Sequence, residues 1–180
     1  MKKLKPSRKD VSHLKLIRQN VIRICKYCGI KYGNKKGLLL DIAPQIHEGA
    51  RPYFSRKVLI KTLDINQKNK PDIAGDICKK NRSIKNKTFD IVVCTEVLEH
   101  TLDPFGAMRE IHRILKTGGL LVVSAPFDFR IHGPLPDCWR FTIHGWRELL
   151  RKFKVLKVME VKNSKRNLMP VHYGFLAEKI

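Results

Sequence analysis

Four sets of side chains in this chain have types and spacings that can do chemistry. In "LLLDIAPQIHEGARPYF" (Leu38–Phe54) an apolar run closes on Asp41, as the first strand of a nucleotide site would. Asp64 stands 23 positions later, after the next apolar run. A carboxylate about 20 residues beyond the first strand's turn can accept hydrogen bonds from both hydroxyls of a ribose. Asp76, in "AGDI", ends a third run and can accept from an adenine amino group. Thr95, Glu96 and His100 follow a fourth run. His132, Asp137, Trp139 and Arg140 follow a fifth, and they are residue types suited to proton transfer and anion contact. Finally, Cys25-x-x-Cys28 offers two thiols. Tetrahedral zinc takes four protein ligands, or three and water, and only His13 or His47 could add to the pair, so no metal site is expected.

The elements that must carry these residues alternate. Gly37–Ile42, Val58–Asp64, Ile73–Asp76, Phe89–Cys94 and Gly119–Ala125 are short runs rich in Leu, Ile and Val, and read as buried strands. Helical spacing falls at Pro104–Lys116 and Thr142–Lys152. Asp103-Pro104 starts the first of these, and glycines of Lys116-Thr117-Gly118-Gly119 end it. Strands alternating with helices imply a parallel sheet covered on both faces, with ligands beyond the carboxyl ends of the strands. Val155–Val161 and Val171–Glu178, joined by the polar turn NSKRN, read instead as an antiparallel hairpin at the end of the sheet. Before the first strand, Val11, Leu14, Ile17, Val21, Ile24 and Cys28 describe one helical face. Asp10 or Ser12 would cap that helix and Gly29 end it, with residues 1–9 as a disordered basic tail. The chain thus divides into a basic tail and amphipathic helix, 1–36, and an α/β domain, 37–180.

Composition narrows the class. The chain has 180 residues, is 43% hydrophobic and 29% charged, and contains no run long enough to cross a bilayer. No secretory signal is read at the N-terminus, and five scattered cysteines suit a reducing, cytoplasmic setting. The formal charge is +21, but residues 37–150 carry 17 basic and 13 acidic side chains, while residues 1–36 carry 12 and 1. A basic flank attracts phosphate, so nucleic acid or an anionic membrane surface is permitted as a partner. No RNA-reading motif supports the former.

"FDIVVCTEVLEH" (Phe89–His100) and "LKTGG" (Leu115–Gly119) closely resemble motifs of the class I S-adenosylmethionine-dependent methyltransferases. "HGPLPDCWRFTIHGWRELL" (His132–Leu150) is similar to a segment of one branch of that group, with its HG-P-D-WR-T pattern. The resemblance covers 37–180. It implies a Rossmann-like α/β fold: a seven-stranded, mostly parallel sheet with an antiparallel C-terminal hairpin and helices on both faces. It further implies S-adenosylmethionine as cofactor, with Asp64 and Ile65 at the ribose and Asp76 and Ile77 at the adenine. Asp41, Ile42 and Ala43 would face the methionine part, and Thr95 and Glu96 would border the methyl group. The family's glycine-rich first loop is replaced by Ala43-Pro44-Gln45. Ala43 is small enough for close approach with a negative φ, whereas Pro44 has no N–H to give.

Methyl transfer to a hydroxyl or amine needs a group to take the acceptor's proton. His132 is the expected base, Asp137 its orienting partner, and Arg140 the contact for an anionic group. The expected acceptor, by analogy with the branch, is a small molecule, lipid or glycan. A nicotinamide dehydrogenase is disfavoured, because the G-x-G-x-x-G turn is missing. Two readings stay beside the main one: a methyltransferase-fold binding protein without activity, and an RNA methyltransferase that uses the basic flanks.

Overall fold

The computed structural model describes residues 5–45, 48–163 and 166–180. Its centre is a seven-stranded sheet: β1 (Gly37–Ile42), β2 (Val58–Asp64), β3 (Ile73–Ala74), β4 (Phe89–Thr95), β5 (Leu115–Pro126), β6 (Phe153–Val161) and β7 (His172–Lys179). The spatial order is β3-β2-β1-β4-β5-β7-β6. The first five strands are parallel, and β7 runs antiparallel to both β5 and β6. Strand order therefore reverses between β1 and β4, which places a crevice at their carboxyl ends.

Burial on both faces explains the continuous apolar runs. Leu39 and Val122 face one side, where α1 (Arg8–Tyr32) packs through Ile24, Cys25 and Cys28. Leu40, Val92 and Val123 face the other, against α2 (Pro104–Ile114) and α3 (Ile143–Leu149) with the fully buried Trp146. Strand β6 is largely exposed, with Lys154 and Lys157 in solvent, as suits a charged sheet edge. Among the described residues, no helix is long and apolar enough to cross a membrane.

The expected hairpin, parallel strands and coverage of both faces are found. Several details differ. Helix α1 begins at Arg8, capped by Ser7 in a reciprocal box with Asp10, so the expected tail shortens to residues before Ser7, of which 1–4 lie outside the described residues. It runs past Gly29 to Tyr32. Gly29 serves packing instead, since a Cβ there would lie 1.8 Å from the Tyr53 carbonyl oxygen. The buried stripe is His13, Ile17, Asn20, Ile24 and Cys28, rotated from the apolar stripe in the sequence, while Val11 is 58% exposed. Because α1 shares its core with the sheet, the expected boundary at 36/37 separates elements that pack as one body. Helix α2 stops at Ile114, and the LKTGG segment extends β5, with Gly118 at φ +73°. In the NSKRN turn, Ser164 and Lys165 lie outside the described residues.

Candidate active site

The first half of the site lies over β1, β2 and β3. Asp41 is buried beneath the loop it begins, and its Oδ2 accepts from the Ala50 N–H at 2.6 Å. Burial, only partly offset by that bond, pushes its pKa up to about 6. The loop's missing glycine is found later: Gly49 has φ +55°, and a Cβ there would stand 2.1 Å from Asp41 Oδ2. Ala43 does not keep a negative φ. It sits at φ +52°, where glycine is favoured, and its N–H donates to the Leu63 carbonyl at 2.7 Å. Ile42 is buried in the core beside it. His47, named with the cysteine pair, lies outside the described residues.

Asp64 is buried at the end of β2, where Oδ1 accepts from Asn66 N–H (2.8 Å) and Oδ2 from the Asn69 side chain (2.7 Å). Each oxygen keeps a second lone pair for a ribose hydroxyl. Ile65 beside it is 71% exposed, an apolar face open to a ligand, whereas Ile77 is buried in the core. Half-exposed Asp76 accepts from Cys78 N–H through Oδ1, and Lys79 Nζ stands 3.9 Å from its Oδ2. This donor and acceptor set fits the nucleoside of S-adenosylmethionine. At the methionine end, Ala43 and Pro44 have no free N–H to offer.

The second half gathers residues from four elements. Glu96 follows β4 at φ +57° with its N–H on the Ser124 carbonyl. Its Oε1 accepts from Ser124 Oγ and from His172 Nε2, both at 2.7 Å. Behind it, the Asn20 amide of α1 donates to the Met159 carbonyl (2.7 Å) and to His172 Nδ1 (2.9 Å). Burial opposes ionisation of Glu96, but His172 and Ser124 outweigh it and hold the pKa low. Thr95 ends β4 in register with Ser124.

A single-turn 3-10 segment, Leu98–His100, carries the next acid. Glu99 is fully buried, and burial, followed by the charge of Glu96, pushes its pKa well up. Its carbonyl accepts from Cys138 N–H and Trp139 N–H, and Trp139 Nε1 donates to the Thr101 carbonyl. These bonds dock the 132–140 segment on the turn after β4. In that segment His132 Nδ1 lies 3.0 Å from Asp137 Oδ2. Arg140 grips both Asp137 oxygens, at 2.5 and 2.7 Å, and donates to the Trp139 and Arg130 carbonyls. Burial opposes the ionised form of Asp137, yet Arg140 and the His132 N–H bring its pKa down to about 2. Arg140 is thus committed to Asp137 and the loop.

These residues border one cavity of about 380 Å³ between α1 and the strand ends. Leu14, Ile17, Val21, Ile22 and Phe129 supply its apolar wall, and Glu96, His100, His132, Gln45 and Arg18 its polar groups. Of the residues expected from sequence, His132 and Glu96 meet here, with Asp137 and Arg140 behind His132. Glu99, His172 and Asn20 were not foreseen as site residues. Glu99 and His100 do stand in the EVLEH motif, whereas nothing local marks Asn20 or His172. The Cys25 and Cys28 thiols are core groups, with Cys28 pushed up to about 12 by burial, and His13 instead meets the Asp128 carbonyl.

A doubly wound sheet with acids at the ends of β2 and β3 and a cavity beyond β4 defines a nucleotide-type α/β enzyme fold. The methyltransferase domain family matches residues 23–123, and the chain belongs to this S-adenosylmethionine-dependent methyltransferase family. The chain is similar to ubiquinone biosynthesis O-methyltransferases. It is 47% identical to that of Pseudomonas aeruginosa over 36 residues, which is 20% of this chain and 16% of the relative. It is 31% identical to that of Xanthomonas oryzae pv. oryzae over 85 residues, 47% and 31% of the two. The matches span under a third of these curated relatives. Among solved structures, a Burkholderia thailandensis 1,6-didemethyltoxoflavin-N1-methyltransferase with bound S-adenosylhomocysteine has a TM-score of 0.65 at 14% identity, covering 98% of this chain and 91% of that one. The [4+2]-cyclase SpnF reaches 0.69 at 16% identity, covering 91% and 80%. At such identities the likeness is one of fold.

Proposed function

We propose that this chain is an S-adenosylmethionine-dependent O-methyltransferase acting on a small hydroxyl-bearing acceptor held between α1 and the 129–134 segment. The observation that carries the reading is the cavity itself, whose volume and mostly apolar wall suit a small ligand. Its polar groups, Glu96, His100 and His132, converge from the β4 end beside the cofactor crevice. The O-methyltransferase names of the matched relatives agree with a hydroxyl acceptor. S-adenosylmethionine, when bound, supplies a methyl group on a sulfonium. Asp64 would hold the ribose, Ile65 the apolar nucleoside face and Asp76 the adenine amino group, while the altered loop at Ala43 takes part by shape alone. Asp137 fixes His132 through Nδ1, which leaves Nε2 toward the cavity to take the acceptor's proton. The transfer would leave S-adenosylhomocysteine, and His132 would pass the acceptor's proton on to water. Arg140 positions Asp137 in this scheme.

The test measures S-adenosylhomocysteine binding by calorimetry, and its release from S-adenosylmethionine in the presence of phenols, sugars and lysolipids. Asp64→Ala should weaken binding at least tenfold, and His132→Ala should spare binding while turnover falls about a hundredfold. The spent Ala43 N–H and Pro44 favour a second reading, a binding protein of this fold without activity. Failure of the wild type to bind S-adenosylhomocysteine at millimolar concentration would select it.

A further inference from the structure

His132 does not face the cavity alone. Glu99, His100 and His132 each offer one ligand atom within 4.8 Å of the others, and Glu99 Oε1 lies 3.8 Å from His100 Nε2 and 4.0 Å from His132 Nε2. Neither carboxylate oxygen of Glu99 has a hydrogen-bond partner among the described residues, although both are buried. Buried polar oxygens left without a partner are costly, and a ligand that engages them removes that cost. The histidines do not answer them. His100 Nδ1 is 3.0 Å from the Pro136 carbonyl and His132 Nδ1 is 3.0 Å from Asp137, both acceptor groups, so each ring carries its proton on Nδ1 and turns a lone pair at Nε2 toward Glu99. Three groups able to ligate a cation converge there, and no other described residue reaches the Glu99 oxygens.

We propose that Glu99, His100 and His132 bind a divalent transition-metal ion whose open positions face the acceptor cavity. Bonds of about 2.0–2.1 Å place tetrahedral donors about 3.4 Å apart, so the two Glu99 distances need to close by about half an ångström and the widest pair by up to about 1.4 Å. Two imidazoles and one carboxylate select zinc, manganese, iron or cobalt over magnesium or calcium. Each histidine already has the outer partner that such ligands use to fix tautomer and orientation: a backbone carbonyl for His100, and for His132 the carboxylate of Asp137, itself gripped by Arg140. The ligands stand on rigid pieces, because the Glu99 carbonyl and Trp139 Nε1 lock the two segments together. The proposal rests on the O-methyltransferase reading for the ion's role. With the ion bound, the His132 Nε2 lone pair is occupied, and the ion takes over its role: an acceptor hydroxyl bound to it would lose its proton to water more readily.

The test is metal binding itself. Chelator-treated protein is titrated with Co²⁺, followed by visible d–d absorption, and with Zn²⁺ by calorimetry. One ion per chain should bind, with His100→Ala and His132→Ala each weakening affinity at least about a hundredfold and Asp137→Asn about tenfold. Circular dichroism checks that the variants fold. X-ray absorption on the cobalt-loaded wild type should show two imidazoles, which keeps the proposal testable if they do not. Absence of binding, unchanged affinity in both histidine variants, or a thiolate signature from the cysteines would each overturn it. S-adenosylhomocysteine binding is measured in parallel. Its failure with metal binding intact would remove the methyltransferase reading and leave the ion site standing.

Discussion

Asp41 makes a quantitative prediction about stability and pH. Its carboxyl titrates near 3.8 in an unstructured chain and about 6 when folded, mainly because of burial. A displacement of about two units corresponds to about 3 kcal/mol. The folded state holds this proton across pH 4 to 6 while the unfolded state has released it. Raising pH through that window therefore destabilises the fold, and the cost is complete by about pH 7. Asp41→Asn removes the charge but keeps an oxygen for the Ala50 N–H. Urea unfolding followed by circular dichroism, on both proteins from pH 4 to 8, isolates Asp41 because other titrating groups cancel in the difference. Wild type minus variant should fall by about 2 kcal/mol between pH 4 and 6, with the full loss of about 3 kcal/mol reached by about pH 7, and then level off. A flat difference, or one that rises with pH, would show that burial does not control this carboxyl.

Two further substitutions probe how the site is held. Gly49→Ala puts a Cβ at 2.1 Å from Asp41 Oδ2 and 2.8 Å from Pro44 Cβ at φ +55°, so it should cost about 2 kcal/mol or more in urea unfolding. A loss under about 0.5 kcal/mol would mean the loop shifts freely. Asn20→Ala strips the Met159 carbonyl and His172 Nδ1 of their shared donor inside the core. It should cost about 2–4 kcal/mol by the same assay, and near-wild-type stability would refute the idea that this amide anchors α1 to the site.

The parallel sheet was legible because strands buried on both faces must be continuously apolar, and Leu38–Leu40 and Ile91–Cys94 are. The positions of Asp64, Asp76 and Glu96 at strand ends followed from that reading. Periodicity misjudged the buried stripe of α1, because it counts apolar residues, and His13 and Asn20 are buried by virtue of partners distant in sequence: Asp128, Met159 and His172. The same blindness hid the convergence of Glu99 with His132, 33 positions on, which depends on where the 132–140 segment docks. At Ala43 the residue type argued for a negative φ, but pairing of its N–H with Leu63 dictates a positive one.

The charge distribution separates the acceptor readings further. The chain as a whole carries +21, yet the cavity region concentrates Glu96, Glu99 and Asp137. Against them stand Arg18 in the cavity wall and Arg140, whose charge is spent on Asp137. Glu96 and the imidazole lone pairs beside it repel a phosphate-rich ligand at short range, whatever attraction the basic flanks exert from afar. A polyanion drawn to the flanks would have to bring a neutral portion to the cavity. A small uncharged hydroxyl compound meets no such barrier, and a cation among Glu99, His100 and His132 would relieve the repulsion. The field around Glu96 supports the proposed small-molecule acceptor over RNA, and Arg18 of α1 is the part of the basic flank that reaches the cavity.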